Sequence, residues 1–160
     1  MAVNMKKAPP DLLRTISRHT VAYILCSISE MFRYYSDFDP LDLLIIHAVL
    51  NANVINVMKD AKLDKEFGSV HAVEPDTIKQ GVSRSALSRF LGLPIETIRR
   101  RVNRLKKIGV LAEGNSGLIV SQANSFKFGN NHTLQEVNVV LVKKLLRDLG
   151  RAGIKGPNDF

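Results

Sequence analysis

Tryptophan is absent from this 160-residue chain, cysteine occurs once, and aromatic side chains make up 6% of it. A lone cysteine, Cys26, excludes an intramolecular disulfide and fits a reducing compartment. It sits among Tyr23, Ile24, Leu25 and Ile28, so a buried structural thiol is expected there rather than a redox sensor. No apolar run approaches the roughly 18 residues needed to span a bilayer, so no membrane association is expected. Lys6 and Lys7 lead into no short apolar signal segment, which points to a cytoplasmic protein. His19, His47, His71 and His132 are scattered, with no cysteine or carboxylate set at metal-ligand spacing. No glycine loop suits a nucleotide phosphate, and no Ser-His-Asp or Cys-His arrangement stands out. The expectation is a protein without metal, cofactor or enzymatic activity.

Charge is unevenly distributed along the chain. The chain as a whole carries +8, with 45% hydrophobic and 24% charged residues, a balance suited to one compact domain or one domain with helical extensions. Residues 1–67 hold eight basic and eight acidic side chains and so net zero. Residues 84–107 hold Arg84, Arg89, Arg99, Arg100, Arg101, Arg104, Lys106 and Lys107 against the single acid Glu96, which is +7 of the +8. Charge focused in this way points to a polyanionic partner more strongly than the total does.

Apolar residues from Leu12 to Tyr35 recur at three- and four-residue steps, which predicts a first helix from Asp11 to about Tyr35. Asp39-Pro40 reads as an N-cap followed by a proline at the first helical position, opening a second helix from Leu41 to about Ala61. That helix is apolar on most sides and should be buried on most sides. Residues 62–81, with Gly68 and Pro75 and no sustained period, read as a surface loop. Ser83 then opens a short helix with Ala86, Leu87, Phe90 and Leu91 on its inner face, and Gly92 stops it. Pro94 starts another helix that ends at Gly109. Val110–Glu113 and Leu118–Ser121 read as strands of a hairpin joined by Gly114-Asn115-Ser116-Gly117. After a loop containing Gly129-Asn130-Asn131, the Thr133-Leu134-Gln135-Glu136 box opens a last helix, which Gly150 ends. Residues 151–160 read as a loose tail.

The informative segment is "SRSALSRFLGLPIETIRRRVNRLKKIGVL", from Ser83 to Leu111. Ser88 supplies the small residue at a helix crossing, Gly92 the turn glycine, and Leu87, Leu91, Leu93, Ile98 and Val102 the apolar anchors. Projected at about 100° per residue, Ile98, Val102 and Leu105 fall in one narrow sector. Glu96, Arg100, Asn103 and Lys107 fall opposite, flanked by Arg99 and Arg104. Arginine offers a fork to guanine, asparagine pairs with adenine, and both arginine and lysine neutralise phosphate. Arg101 lies toward the core edge and is expected to pack or pair internally rather than read a base. His47 and Asn51, four residues apart, read as a buried contact or a seam rather than a ligand site.

With its Gly-bounded hairpin, this segment resembles the winged helix-turn-helix domain of bacterial transcriptional regulators, a group that includes the MarR, GntR and IclR-like families. The resemblance covers residues 82–121. It implies that the second helix of the motif enters the major groove and that the hairpin forms the wing. On that basis the DNA-contacting residues are Ser83, Arg84, Ser85, Glu96, Thr97, Arg99, Arg100, Asn103, Arg104 and Lys107, with Asn115 and Ser116 at the wing tip. Two features depart from the pattern. The wing tip carries no arginine or lysine, and the helix begins at Leu93-Pro94 without a polar cap.

The expected fold is therefore mainly α. A winged helix-turn-helix with a small β-hairpin wing (82–128) follows a helical dimerisation or support region (1–61) and a loop (62–81), and precedes a C-terminal dimerisation helix and tail (129–160). The expected function is sequence-specific binding of double-stranded DNA by a homodimeric, nucleoid-associated transcriptional regulator, with half-sites about 34–36 Å apart. The alternative is a winged-helix protein–protein interaction module or a non-specific nucleic-acid-binding accessory subunit. Nothing in the sequence points to a small-molecule effector.

Overall fold

The computed structural model describes residues 10–69, 71–128 and 131–159. The opening segment with Lys6 and Lys7, and the Gly129-Asn130 part of the expected loop, lie outside the described residues. The described chain is mainly helical, with one small antiparallel hairpin. In order, the elements are α1 (Pro10–Tyr34), α2 (Pro40–Asn53), α3 (Ile55–Lys59), α4 (Ala61–Glu66), α5 (Arg84–Leu91), α6 (Ile95–Lys107), β1 (Leu111–Gly114), β2 (Gly117–Val120), α7 (Gln122–Phe128) and α8 (His132–Arg151), followed by a 3-10 turn at Pro157–Asp159. They fall into two compact units, Tyr35–His132 and the pair of segments Met1–Tyr34 and Thr133–Phe160.

In the unit Tyr35–His132, the core gathers Leu43, Ile45, Ile46 and Val49 of α2, Leu87 of α5, Ile98, Val102 and Leu105 of α6, and Leu111, Leu118, Ile119 and Val120 of the hairpin. α2 packs against α5, α6 and β2, so it belongs with them and not in a separate region with α1. Its start is set by Asp39, whose side chain accepts from the Leu41 amide at 2.8 Å, with Pro40 in the first turn. The second helix expected from Leu41 to Ala61 is broken into α2 and α3 at Val54, whose φ and ψ of −98° and 3° leave helical geometry. Beside the break, Asn53 is buried. Its Nδ2 donates to the Gln80 and Leu118 carbonyls at 2.9 and 3.3 Å, and its Oδ1 accepts from the Val120 amide at 3.0 Å. One side chain thus satisfies backbone groups of both the Gln80 segment and β2.

The expected loop over 62–81 is only partly a loop. Asp60 accepts from the Lys62 and Leu63 amides and caps α4, a local signal the apolar periodicity does not carry. Further on, Lys79 is buried, and its Nζ donates to Asp76, the Val120 carbonyl and Ser125 at 2.8, 2.8 and 3.1 Å. This ties the segment before α5 to β2 and α7. Val82 then exchanges two backbone hydrogen bonds with Leu118, adding a bridge to the edge of the hairpin.

In the other unit, α1 spans the helix expected from its periodicity. α8 starts at His132, which places Thr133 inside the helix rather than at its cap, and it runs through Gly150 to Arg151. Gly153, with φ of +89°, marks the turn that follows. α1 and α8 touch through Tyr23, which donates to Asn138 at 3.0 Å, and through a small cavity lined by His19, Tyr23, Cys26, Leu141, Lys144 and Leu145. Cys26, expected to be buried, is exposed, because few neighbours cover this stretch of α1. Leu141 and Leu145 face α1 of the same chain.

Candidate nucleic-acid interface

Three local devices join α5 to α6. Ser83 caps α5 by accepting from the Ala86 amide at 3.1 Å. Gly92 ends α5 in the left-handed region at φ of +65°, a conformation that favours glycine. Ser88 Oγ donates to the Leu93 carbonyl at 2.6 Å, while its own carbonyl accepts from the Leu93 amide at 3.1 Å. The turn Gly92-Leu93-Pro94 is therefore held from both sides. α6 has no side-chain cap, since proline occupies its N-cap position, and Glu96 in the first turn complements the helix dipole. Leu91 and Leu93 are half-buried, whereas Phe90, expected on the inner face of α5, is 71% exposed. Leu87 is the buried side chain of α5, at 1% exposure, and Phe90, three residues on, lies outside that buried side.

α6 has two chemically distinct sides. Ile98, Val102 and Leu105 are fully buried, and Glu96, Arg99, Arg100, Asn103, Arg104 and Lys107 are exposed, with Thr97 half-buried. The side chains on the polar side differ in what they meet. Glu96 pairs with Arg99 along the helix. Arg101 reaches back to α2, where Nη1 lies 2.7 Å from Asp39 and 2.9 Å from Asp42. Arg104 Nη2 lies 2.8 Å from Asp42 Oδ2, close enough for an ion pair but without hydrogen-bond alignment at that oxygen. Glu113 of β1 receives both Arg84 and Lys106, at 2.9 and 2.8 Å. Among the described residues, no carboxylate pairs with Arg89, Arg100 or Lys107, and the side chains of Ser85, Asn103 and Asn115 have no polar partner. Ser116 does have one, because its hydroxyl accepts from the Gly81 amide at 2.8 Å.

Several of the expected contact residues therefore carry structural duties as well. Ser83 caps a helix, Ser116 holds Gly81, and Arg84, Arg99 and Arg104 are ion-paired. Ser85, Arg100, Asn103, Lys107 and Asn115 are exposed and unengaged among the described residues. Sequence reasoning missed Asp42 and Glu113. Both are unremarkable acids in the sequence, and they matter only because the fold carries Asp42 to Arg101 and Arg104, and Glu113 to Lys106 in the last turn of α6.

The electrostatics follow from these contacts. The Leu41 amide, aided by Arg101, holds the Asp39 carboxyl below its ordinary range. Lys106 and Arg84 do the same for Glu113. His47 lies away from this surface. Burial lowers its pKa, and its Nδ1 meets the Leu43 carbonyl at 2.8 Å within its own helix, while Asn51 is exposed. No group of three His, Cys, Asp or Glu residues suited to a metal ion exists among the described residues, and no helix of the described chain is long and apolar enough to cross a membrane. Chemically, the arrangement offers forked and point-charge donors plus one amide on a single exposed helix face. Comparison with protein-family models, curated proteins and solved structures gives no match to this chain.

Proposed function

We propose that this chain is a sequence-specific double-stranded DNA-binding protein of winged helix-turn-helix type, acting as a transcriptional regulator. α6 is the helix that enters the major groove, and the β1–β2 hairpin is the wing. The observation that carries this reading is the division of α6 into a fully buried apolar side and an exposed side on which Arg100, Asn103 and Lys107 stand without carboxylate partners among the described residues. An α-helix fits the major groove, and arginine and asparagine are the side chains that read guanine and adenine there. Arg89 on α5, exposed and without a carboxylate among the described residues, adds a cation suited to phosphate. The hairpin tip offers Asn115 and no cation, so the wing contributes little to affinity.

The regulator acts as a homodimer through α1 and α8, whose uncovered aliphatic side chains suit a self-complementary seam. Selection of bound duplex from a random pool tests the whole reading. The expected result is a palindromic consensus bound roughly 10³-fold or more tightly than random sequence. No enrichment, with binding independent of salt, overturns it. The second reading, a winged-helix module docking on an acidic protein partner, is favoured by one observation: Phe90, a large apolar side chain, is exposed next to Arg89. It requires a chain that shows no preference among duplexes.

A further inference from the structure

Five of the eight cations between residues 84 and 107 are held by carboxylates, and the carboxylate one pair from the hairpin turn differs from the others. Asp39 and Asp42 meet α6 from α2, and Asp42 is fully buried. Glu96 meets Arg99 three residues away on the same helix. Glu113 instead joins two helices. Arg84 opens α5, Lys106 lies in the last turn of α6, and both approach the same oxygen, Oε1, at 2.9 and 2.8 Å. All three side chains are partly open to solvent, at 30%, 34% and 46% exposure for Arg84, Lys106 and Glu113. One negative charge thus stands between two cations at the edge of the surface assigned to DNA. It neutralises half of their charge and occupies the hydrogen bonds a phosphate oxygen would take.

We infer that Glu113 is a built-in competitor for the DNA backbone, a residue that suppresses sequence-independent affinity by engaging Arg84 and Lys106. The inference rests on the DNA-binding reading above. Surface ion pairs of this kind are weak, so a phosphate that arrives in register displaces the carboxylate. Non-specific binding consists almost wholly of phosphate contacts, whereas specific binding adds base contacts, so masking two cations weakens the first proportionately more. Glu113 therefore raises the ratio of specific to non-specific affinity without touching a base. Its carboxyl, held below the ordinary value of 4.5 by Lys106 and Arg84, is charged and in competition through the neutral range.

The test is equilibrium binding of the full chain to a random-sequence duplex and to its selected site, between about 50 and 200 mM salt, the range over which phosphate contacts are read. Glu113→Gln is expected to bind random duplex on the order of tenfold more tightly at the low-salt end. Its logarithmic salt slope should steepen by about one to two, one step for each cation released. Glu113→Ala should behave alike, and a single cooperative melting transition for each variant establishes that both fold. In an Arg84→Gln/Lys106→Gln background the Glu113→Gln change should leave the slope where it is. An unchanged or shallower slope for both single variants overturns the inference, as does a steepened slope that persists without Arg84 and Lys106. Failure of the unaltered chain to bind any duplex in a salt-dependent manner overturns the DNA reading instead.

Discussion

Arg100 and Lys107 stand on the same side of α6 and are both free of carboxylates among the described residues, yet they should fail differently. Arg100→Ala is expected to lose about 1–3 kcal/mol on the preferred site and to relax one base position, as the loss of a forked base contact does. Lys107→Ala is expected to weaken all duplexes alike and to lower the salt slope by about one. Binding isotherms on the selected site, a single-base variant of it and random duplex separate the two. Glycines test the fold at the same scale. A Cβ on Gly81 would stand 2.5 Å from the Gly117 amide nitrogen and 2.6 Å from the Ser116 carbonyl carbon, so backbone must move to admit it. Gly92 has open space around it and carries only the strain of its positive φ. Gly81→Ala should therefore destabilise by about 1–3 kcal/mol and Gly92→Ala by about 1–2 kcal/mol. Denaturant midpoints would show it, and detachment of the hairpin should accompany the Gly81 change alone. The sequence makes Gly92 legible through its place after a periodic run, but Gly81 gives no local sign of the hairpin that crosses it.

At the scale of elements, the link between α2 and α6 decides how the exposed helix is held. Asp42 is fully buried, and Arg101 supplies its aligned hydrogen bond. Arg101→Met should therefore cost about 3–5 kcal/mol, the range for removing one partner of a buried pair. Arg104→Gln should cost under about 1 kcal/mol, because Arg104 is 55% exposed and poorly aligned. Comparable losses in urea unfolding would show that Asp42 depends on both. α2 also carries a pH response. Burial lowers the pKa of His47, so the unfolded chain protonates more readily than the folded one. Stability should thus decline as pH falls below the ordinary value of 6.5 and through the lower folded value. The depressed carboxyls of Asp39 and Glu113 act in a separate, more acid window. Their contribution is present above the ordinary values of 3.8 and 4.5 and is lost as pH falls through the folded ones. A series of melting curves should show the first decline in the native chain and its absence in His47→Gln. The helix break at Val54 is less legible, because apolar periodicity runs through it while Asn53 acts by hydrogen bonds to backbone, and the start of α4 is set likewise by the Asp60 side chain.

At the scale of the whole molecule, the two compact units differ in how much they bury. In the unit of α1 and α8, Ile154 is the one buried residue among those described. Val21, Ile24 and Leu25 of α1 and Val139, Val140 and Leu146 of α8 are each 49–65% exposed. Isolated helices gain most of their stability from packing an apolar face, so this pair is expected to be completed by a second copy. Light scattering should report twice the 17.8 kDa chain mass. Leu25→Glu/Val140→Glu should yield a monomer that has lost tight operator binding. A native monomer at micromolar concentration, with operator affinity unchanged on dilution, would sink the dimer.

What the sequence determined by itself is local. Ser83, Gly92 and the recurrence of Ile98, Val102 and Leu105 suffice to define α5, the turn and the buried side of α6, because caps, glycine conformation and helical period act within a few residues. The hairpin is legible for the same reason, from glycines bounding a short polar turn. Which cations on α6 stay free was decided only by the tertiary structure. Asp42 lies 59 residues from Arg101, and Glu113 lies 29 from Arg84. Helical spacing reaches pairs such as Glu96 and Arg99, but pairing between elements depends on distance in space, which no periodicity encodes. The same limit explains Phe90, apolar and in phase with the helix yet exposed: the period says which residues share a side, and only packing says how far the neighbouring helix covers it.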